Sequence, residues 1–192
     1  GIDLLLRAYA SLRSKYPFLR LVLKDQSNLY GITFSQLLET FRSANLDLDF
    51  NDELLGSIVP MSKNLPLDQL SALYGVADLY VSPYRAEGFN LPVLEAAACG
   101  TPVIVTKGGS TDDFFSPSMG LQVEGLFKES VWKEGPRKGM TKVSIEPDFG
   151  SLVAAIESMV QRRDSLAFNP REAALPFEWK RIGKQLKDLM LP

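Results

Sequence analysis

Two carboxylates, Glu87 and Glu95, stand eight residues apart in the stretch SPYRAEGFNLPVLEAAACGTPVIVT, residues 82–106. Between them lie a Gly-Phe-Asn turn and the start of a helix with Pro92 in its first turn. A helix N-terminus presents unpaired backbone N–H groups and the positive end of its peptide dipoles, which suits it to phosphate. Gly88 lets the backbone approach a ligand closely. Acids on both flanks can accept hydrogen bonds from hydroxyls on either side of the phosphates. Hydroxyls, then phosphates, then hydroxyls again describe a nucleotide sugar. On spacing alone a plainer account stands ahead of this one. Glu87 is then a solvated loop acid, and Glu95 merely complements the helix dipole, worth about 0.3–1 kcal/mol.

Other residues invite the same weighing. Lys24 ends the run LRLVLK and can reach a crevice at the strand's carboxyl end as a phosphate partner, or snorkel into solvent. Arg85, two residues before Glu87, can pair with that acid or meet the ligand. Lys107, Gly108 and Gly109 follow a strand end, while Thr111, Asp112 and Asp113 suit the cap of the next turn. Asp47-Leu48-Asp49 spells a metal–diphosphate motif, but Leu46, Leu48 and Phe50 alternate with the acids. That pattern turns the carboxylates to solvent, so no metal site is expected. Cys99 reads as a small buried residue near a helix end, and Lys133, Arg137, Lys138 and Lys142 as a basic solvated loop. The chain has no histidine, which removes imidazole bases, Ser-His-Asp triads and most zinc sites.

The elements that must hold these residues follow from composition and periodicity. With 192 residues, 45% hydrophobic and 23% charged, the chain can bury a full core as one α/β domain over residues 1–192. A net charge of -2 gives no reason to expect a nucleic-acid partner, and a single cysteine fits a reducing, cytoplasmic setting. Helices are expected over 2–15, 33–41, from Pro66 with Leu67, Leu70, Leu73 and Tyr74 on one face, and over 91–99 with Gly100 at C′. Strands are expected at 19–25, 78–83, 101–106 and 120–125. In 45–60, LDLDF alternates like a half-exposed strand and GSIVP looks like its more buried continuation. Residues 126–147 read as a polar loop, and everything from Asp148 as helical, ending in an amphipathic helix with Trp179, Ile182, Leu186 and Leu189. Strands alternating with helices imply a Rossmann-like, doubly wound parallel sheet with a helical C-terminal tail.

The full string YRAEGFNLPVLEAAACGTPVIVTKGGSTDDF closely resembles the Glu-x7-Glu segment of family-4, group 1 glycosyltransferases of the GT-B fold. LSALYGVADLYVSPY is similar to the helix and strand before that motif, and PFEW at 176–179 to the start of the family's terminal helix. The resemblance covers nearly the whole chain. It implies the C-terminal, donor-binding half of a GT-B enzyme, with Glu87 touching donor-sugar hydroxyls as the catalytic residue. Backbone N–H groups of Gly88, Phe89, Asn90 and Leu91 would hold the diphosphate, and Glu95 the ribose. Arg85 and Lys24 join them as candidate donor contacts. Asn90 stands where the family has glycine, so the backbone contact is expected to survive only if that position needs no positive φ. Ser57 to Met61 match the segment lining the nucleobase pocket.

The resemblance further implies a retaining transfer from a UDP-, GDP- or ADP-sugar to a hydroxyl acceptor, without metal or cofactor. An acceptor domain, a basic clamp and the first strand of this domain are expected upstream of Gly1. The chain is thus read as a fragment, inactive alone, whose open sheet edge leaves room for a homodimer. Peripheral membrane association belongs to the expectations for the intact parent. The competing readings are a non-catalytic module with the same fold, and a nucleotide-sugar epimerase or phosphorylase relative. The last two sit poorly with the absence of histidine and of a pyridoxal-phosphate lysine context.

Overall fold

The computed structural model describes residues 1–24, 31, 33–43, 51–162, 165 and 167–191. The chain divides into two compact units, residues 2–67 and residues 68–192 together with Gly1.

The first unit holds α1 (Ile2–Lys15), β1 (Leu21–Lys24), α2 (Phe34–Ser43), α3 (Asp52–Gly56) and β2 (Ile58–Met61). Its core joins Leu6 and Tyr9 of α1 to Leu38 and Phe41 of α2, Leu54 of α3 and Ile58 of β2. Strands β1 and β2 pair in parallel, Leu21 opposite Ile58 and Lys24 opposite Met61. Thr33 and Gln36 form a reciprocal cap that starts α2: Thr33 N donates to Gln36 Oε1 at 2.8 Å, and Gln36 N to Thr33 Oγ1 at 3.3 Å. At the segment matched to the base pocket, Ser57 is buried and fully bonded. The Tyr9 hydroxyl donates to its Oγ at 2.7 Å, and that Oγ donates to the Leu54 carbonyl at 2.6 Å. Asp47, Asp49 and the LDLDF run lie outside the described residues. The strand expected at GSIVP holds for Ile58, Val59 and Pro60, whereas Gly56 and Ser57 end α3, which Asn51 caps, its Oδ1 accepting from Leu54 N at 2.9 Å.

In the second unit, α4 (Leu67–Val76) leads to β3 (Tyr80–Ser82), α5 (Leu91–Ala98), β4 (Val103–Thr106) and β5 (Gly120–Val123). The strands pair in parallel in the order β3-β4-β5. All four residues of β4 are buried, as a strand covered on both faces requires. Gly120 is demanded by that pairing. Its φ is +155°, and a Cβ there would overlap the Val103 carbonyl. Helix α5 closes as expected, with Gly100 at φ +91°. It packs Val93, Ala96 and Ala97 against Val103, Val105, Phe114 and Met119. On α4, Leu70, Leu73 and Tyr74 are half-buried as expected, but Leu67 is exposed.

Residues 126–147 are not a polar loop. They build an antiparallel hairpin, β6 (Gly125–Val131) and β7 (Thr141–Pro147), in register from Gly125–Pro147 to Val131–Thr141. Beyond it, Asp148 Oδ1 accepts from Ser151 N at 2.7 Å and caps α6 (Phe149–Gln161), which buries Leu152, Ile156 and Met159. Helices α7 (Pro170–Ala174) and α8 (Trp179–Met190) complete the tail, with Trp179, Leu186 and Leu189 of α8 exposed. Among the described residues no helix is long and apolar enough to cross a membrane.

Candidate functional site

The loop from β3 into α5 carries the two glutamates, and aromatic packing pins it at both ends. Tyr84 is buried, its hydroxyl 2.8 Å from Thr111 Oγ1. Its ring lies so close to Gly109 that a Cβ there would come within 2.5 Å of the hydroxyl oxygen. Phe89 packs on the core ring of Phe114 with centroids 5.0 Å apart. Between these anchors Gly88 faces open space, and Glu87 is exposed.

Asn90 sets the direction in which α5 starts. Its backbone is left-handed, φ 67° and ψ 51°, so the position does require a positive φ. Asparagine meets that need as one of the few non-glycine residues that tolerate the conformation. Its side chain is buried and makes no capping bond; Nδ2 donates instead to Ser82 Oγ at 2.9 Å. The usual side-chain cap is thereby turned away from the first amides of α5, next to exposed Leu91.

Glu95, one turn inside α5, is exposed and accepts from the Tyr74 hydroxyl at 3.3 Å. Tyr74 is itself held through its carbonyl, which accepts from Thr101 Oγ1 at 2.6 Å. Burial raises the Tyr74 phenol well above its ordinary value, reinforced by Tyr80 and Glu95. The Tyr80 phenol is pushed up to about 12, first by burial and then by the negative charges of Glu95 and Glu87. Cys99 is half-buried rather than fully buried, and its thiol is raised by burial and by Glu95, away from nucleophilic use.

The remaining candidates are spread more widely. The Arg85 guanidinium binds Glu146 of β7 with both arms, Nε to Oε2 at 2.8 Å and Nη2 to Oε1 at 2.7 Å. Lys24 stands at the C-terminal end of β1, in the first unit. Lys107 pairs with Glu124 at 2.9 Å. The turn at 110–113 has no side-chain cap, contrary to expectation; Asp112 reaches back instead, its Oδ2 accepting from Gly108 N at 2.8 Å.

A cavity of about 190 Å³ opens beside Glu87, lined also by Gly109, Phe127 and Val143. The hairpin residues of this wall were missed from sequence. The available signal was the strict alternation of Val143, Ile145 and Pro147 with Lys142, Ser144 and Glu146. Taken together, an uncapped helix start with an acid on each side can host an anion and accept hydroxyls.

The family model for glycosyl transferases group 1 matches residues 1–126. D-inositol 3-phosphate glycosyltransferase of Pseudarthrobacter chlorophenolicus is 32% identical over 126 residues, 65% of this chain and 28% of the relative. A GDP-mannose-dependent alpha-(1-6)-phosphatidylinositol monomannoside mannosyltransferase of Mycolicibacterium smegmatis is 28% identical over 139 residues, 68% of this chain and 33% of its own. The chain thus spans about a third or less of the length of these relatives. Sucrose-phosphate synthase from Thermosynechococcus elongatus superposes with a TM-score of 0.66 at 23% identity, covering 99% of this chain and 41% of that one. The chain belongs to the group 1 glycosyltransferases, with the α/β fold of the C-terminal domain of a GT-B enzyme.

Proposed function

We propose that this chain is the donor-binding domain of a retaining hexosyltransferase and binds a nucleoside-diphosphate sugar at the start of α5. The observation that carries the reading is Asn90. Its left-handed backbone and diverted side chain leave the first turn of α5 without a side-chain cap, between Glu87 and Glu95. The diphosphate lies on the amides of Gly88 to Leu91, where the helix dipole favours negative charge. Glu95, oriented by Tyr74, accepts from the ribose hydroxyls, and Glu87 from hydroxyls of the sugar.

In the intact parent, the acceptor hydroxyl attacks the anomeric carbon from the face that the diphosphate leaves, and its proton passes to the departing phosphate oxygen. Catalysis is electrostatic: fixed dipoles stabilise the charge that develops on the leaving group. The isolated chain binds donor without transferring the sugar.

Calorimetric titration with UDP, GDP and ADP tests this. At least one should bind, and Glu95→Ala should weaken it roughly 10- to 100-fold, the value of hydrogen bonds to a charged group. Silence toward all three nucleotides refutes the proposal and favours a module that kept only the fold.

A further inference from the structure

The hairpin β6–β7 lies almost wholly beyond residue 126, where the family match ends, yet it is fastened to the loop that carries Glu87. Two bonds do this. Ile145 N donates to the Arg85 carbonyl at 2.8 Å, and Glu146 takes the Arg85 guanidinium in a two-armed ion pair at 2.7 and 2.8 Å. Such a pair fixes orientation as well as distance. Glycines permit the approach. The Phe127 ring stands 3.5 Å from where a Cβ on Gly108 would be, and a Cβ on Gly125 would overlap the Ile145 side chain. Strand alternation sends Phe127, Val143 and Ile145 to one face of the hairpin, and that face walls the cavity beside Glu87.

The walls differ in chemistry. Glu87 offers a carboxylate, whereas Phe127 and Val143 offer apolar surface that stays largely exposed to solvent. At about 190 Å³, against the ~150 Å³ of a cavity that takes one benzene ring, the cavity beside Glu87 has room on the order of one monosaccharide. A pyranose has the matching character, hydroxyls around its rim and C–H groups on its faces. Sites of this kind combine apolar walls with a few placed polar groups.

Resting on the donor-binding role proposed above, we infer that the β6–β7 hairpin is the sugar-selecting wall of the donor site. Phe127 and Val143 meet the sugar ring, and the Arg85–Glu146 pair is the positioning device that holds this wall against Glu87. The choice of sugar then resides in a segment outside the matched motif, while diphosphate and ribose are read by α5.

The test separates sugar from nucleotide. The chain is titrated with UDP-glucose, GDP-mannose and ADP-glucose, and with UDP, GDP and ADP. For each base the ratio of sugar-nucleotide to nucleotide affinity is taken. Phe127→Ala, at an exposed position whose loss leaves folding intact, should cut that ratio roughly three- to tenfold, in line with one aromatic contact. Nucleotide affinity should stay within about twofold. Glu146→Gln should lower the ratio in the same way, and the charge-exchanged pair Arg85→Glu with Glu146→Arg should restore it. A wild-type ratio of one for every base, or a ratio that both single variants leave unchanged, overturns the inference while nucleotide binding stands. Absence of all nucleotide binding instead overturns the donor-binding role on which it rests.

Discussion

Replacing Asn90 by alanine should cost about 2–3 kcal/mol, and replacing it by glycine only about 1 kcal/mol. Two terms set the difference. At φ 67° and ψ 51° an alanine Cβ crowds its own carbonyl, a cost of roughly 1–2 kcal/mol that glycine does not incur. Both variants lose the 2.9 Å bond from Nδ2 to Ser82 Oγ, about 1 kcal/mol. For glycine, the greater freedom of the unfolded chain adds a few tenths, and relief of the strain asparagine itself carries offsets them. In a chain of this length 1 kcal/mol moves the melting temperature by about 2–4 °C. Thermal melts should therefore fall by about 5–10 °C for Asn90→Ala and 2–4 °C for Asn90→Gly. Ser82→Ala should cost about as much as the glycine variant, and the double variant Asn90→Gly with Ser82→Ala little more than either, because both remove one bond. If alanine proves as stable as glycine, the left-handed turn is not what holds the start of α5, and the account of the diverted cap collapses with it.

Gly120→Ala should cost about 3 kcal/mol or more, since its Cβ would press on the Val103 backbone, which has no side-chain freedom to yield. Soluble yield and melting temperature report it, and a variant that melts like the parent contradicts the β4–β5 pairing. Alkali should unfold the protein through Tyr80, whose folded form keeps its proton to about pH 12 while the unfolded chain releases it near 10. That stabilisation is complete below pH 10 and declines by about 2–3 kcal/mol toward pH 12. Urea midpoints across that window should fall less steeply in Tyr80→Phe, and equal slopes would refute the assignment.

The sequence displayed the parts that follow a short period. Val103–Val105 is an apolar run, and with Thr106 it became the most buried strand. Gly100 stopped α5 where a glycine at C′ predicts. It concealed what depends on residues distant in sequence. In GLFKESVW, apolar and charged residues fall on both faces of β6, so no two-residue period emerges and the segment passes for a loop. Arg85 offered two partners close at hand, yet it chose Glu146, 61 residues away. At Asn90 the sequence showed only that glycine was missing; that the turn still takes a positive φ follows from the buried bond to Ser82.

The site therefore has two kinds of residue, and they tolerate change differently. Glu87 and Glu95 are solvent-facing and, in the proposed function, meet the donor directly, so substituting either acid should alter binding while barely touching stability. The residues that aim them work in pairs: Tyr84 against Gly109, Phe89 against Phe114, Asn90 with Ser82, and Arg85 with Glu146. Each pair joins the loop to a different neighbour, respectively the glycine turn after β4, the core, β3 and the hairpin. If this loop binds the proposed donor, fixing it from four directions lowers the conformational entropy lost on binding, and that preorganisation is a physical reason for a loop of small and polar residues to carry aromatic support. The hairpin's pair alone joins two charged groups on the rim, each about 30% exposed, so it contributes the least to folding and leaves that wall the freest to diverge.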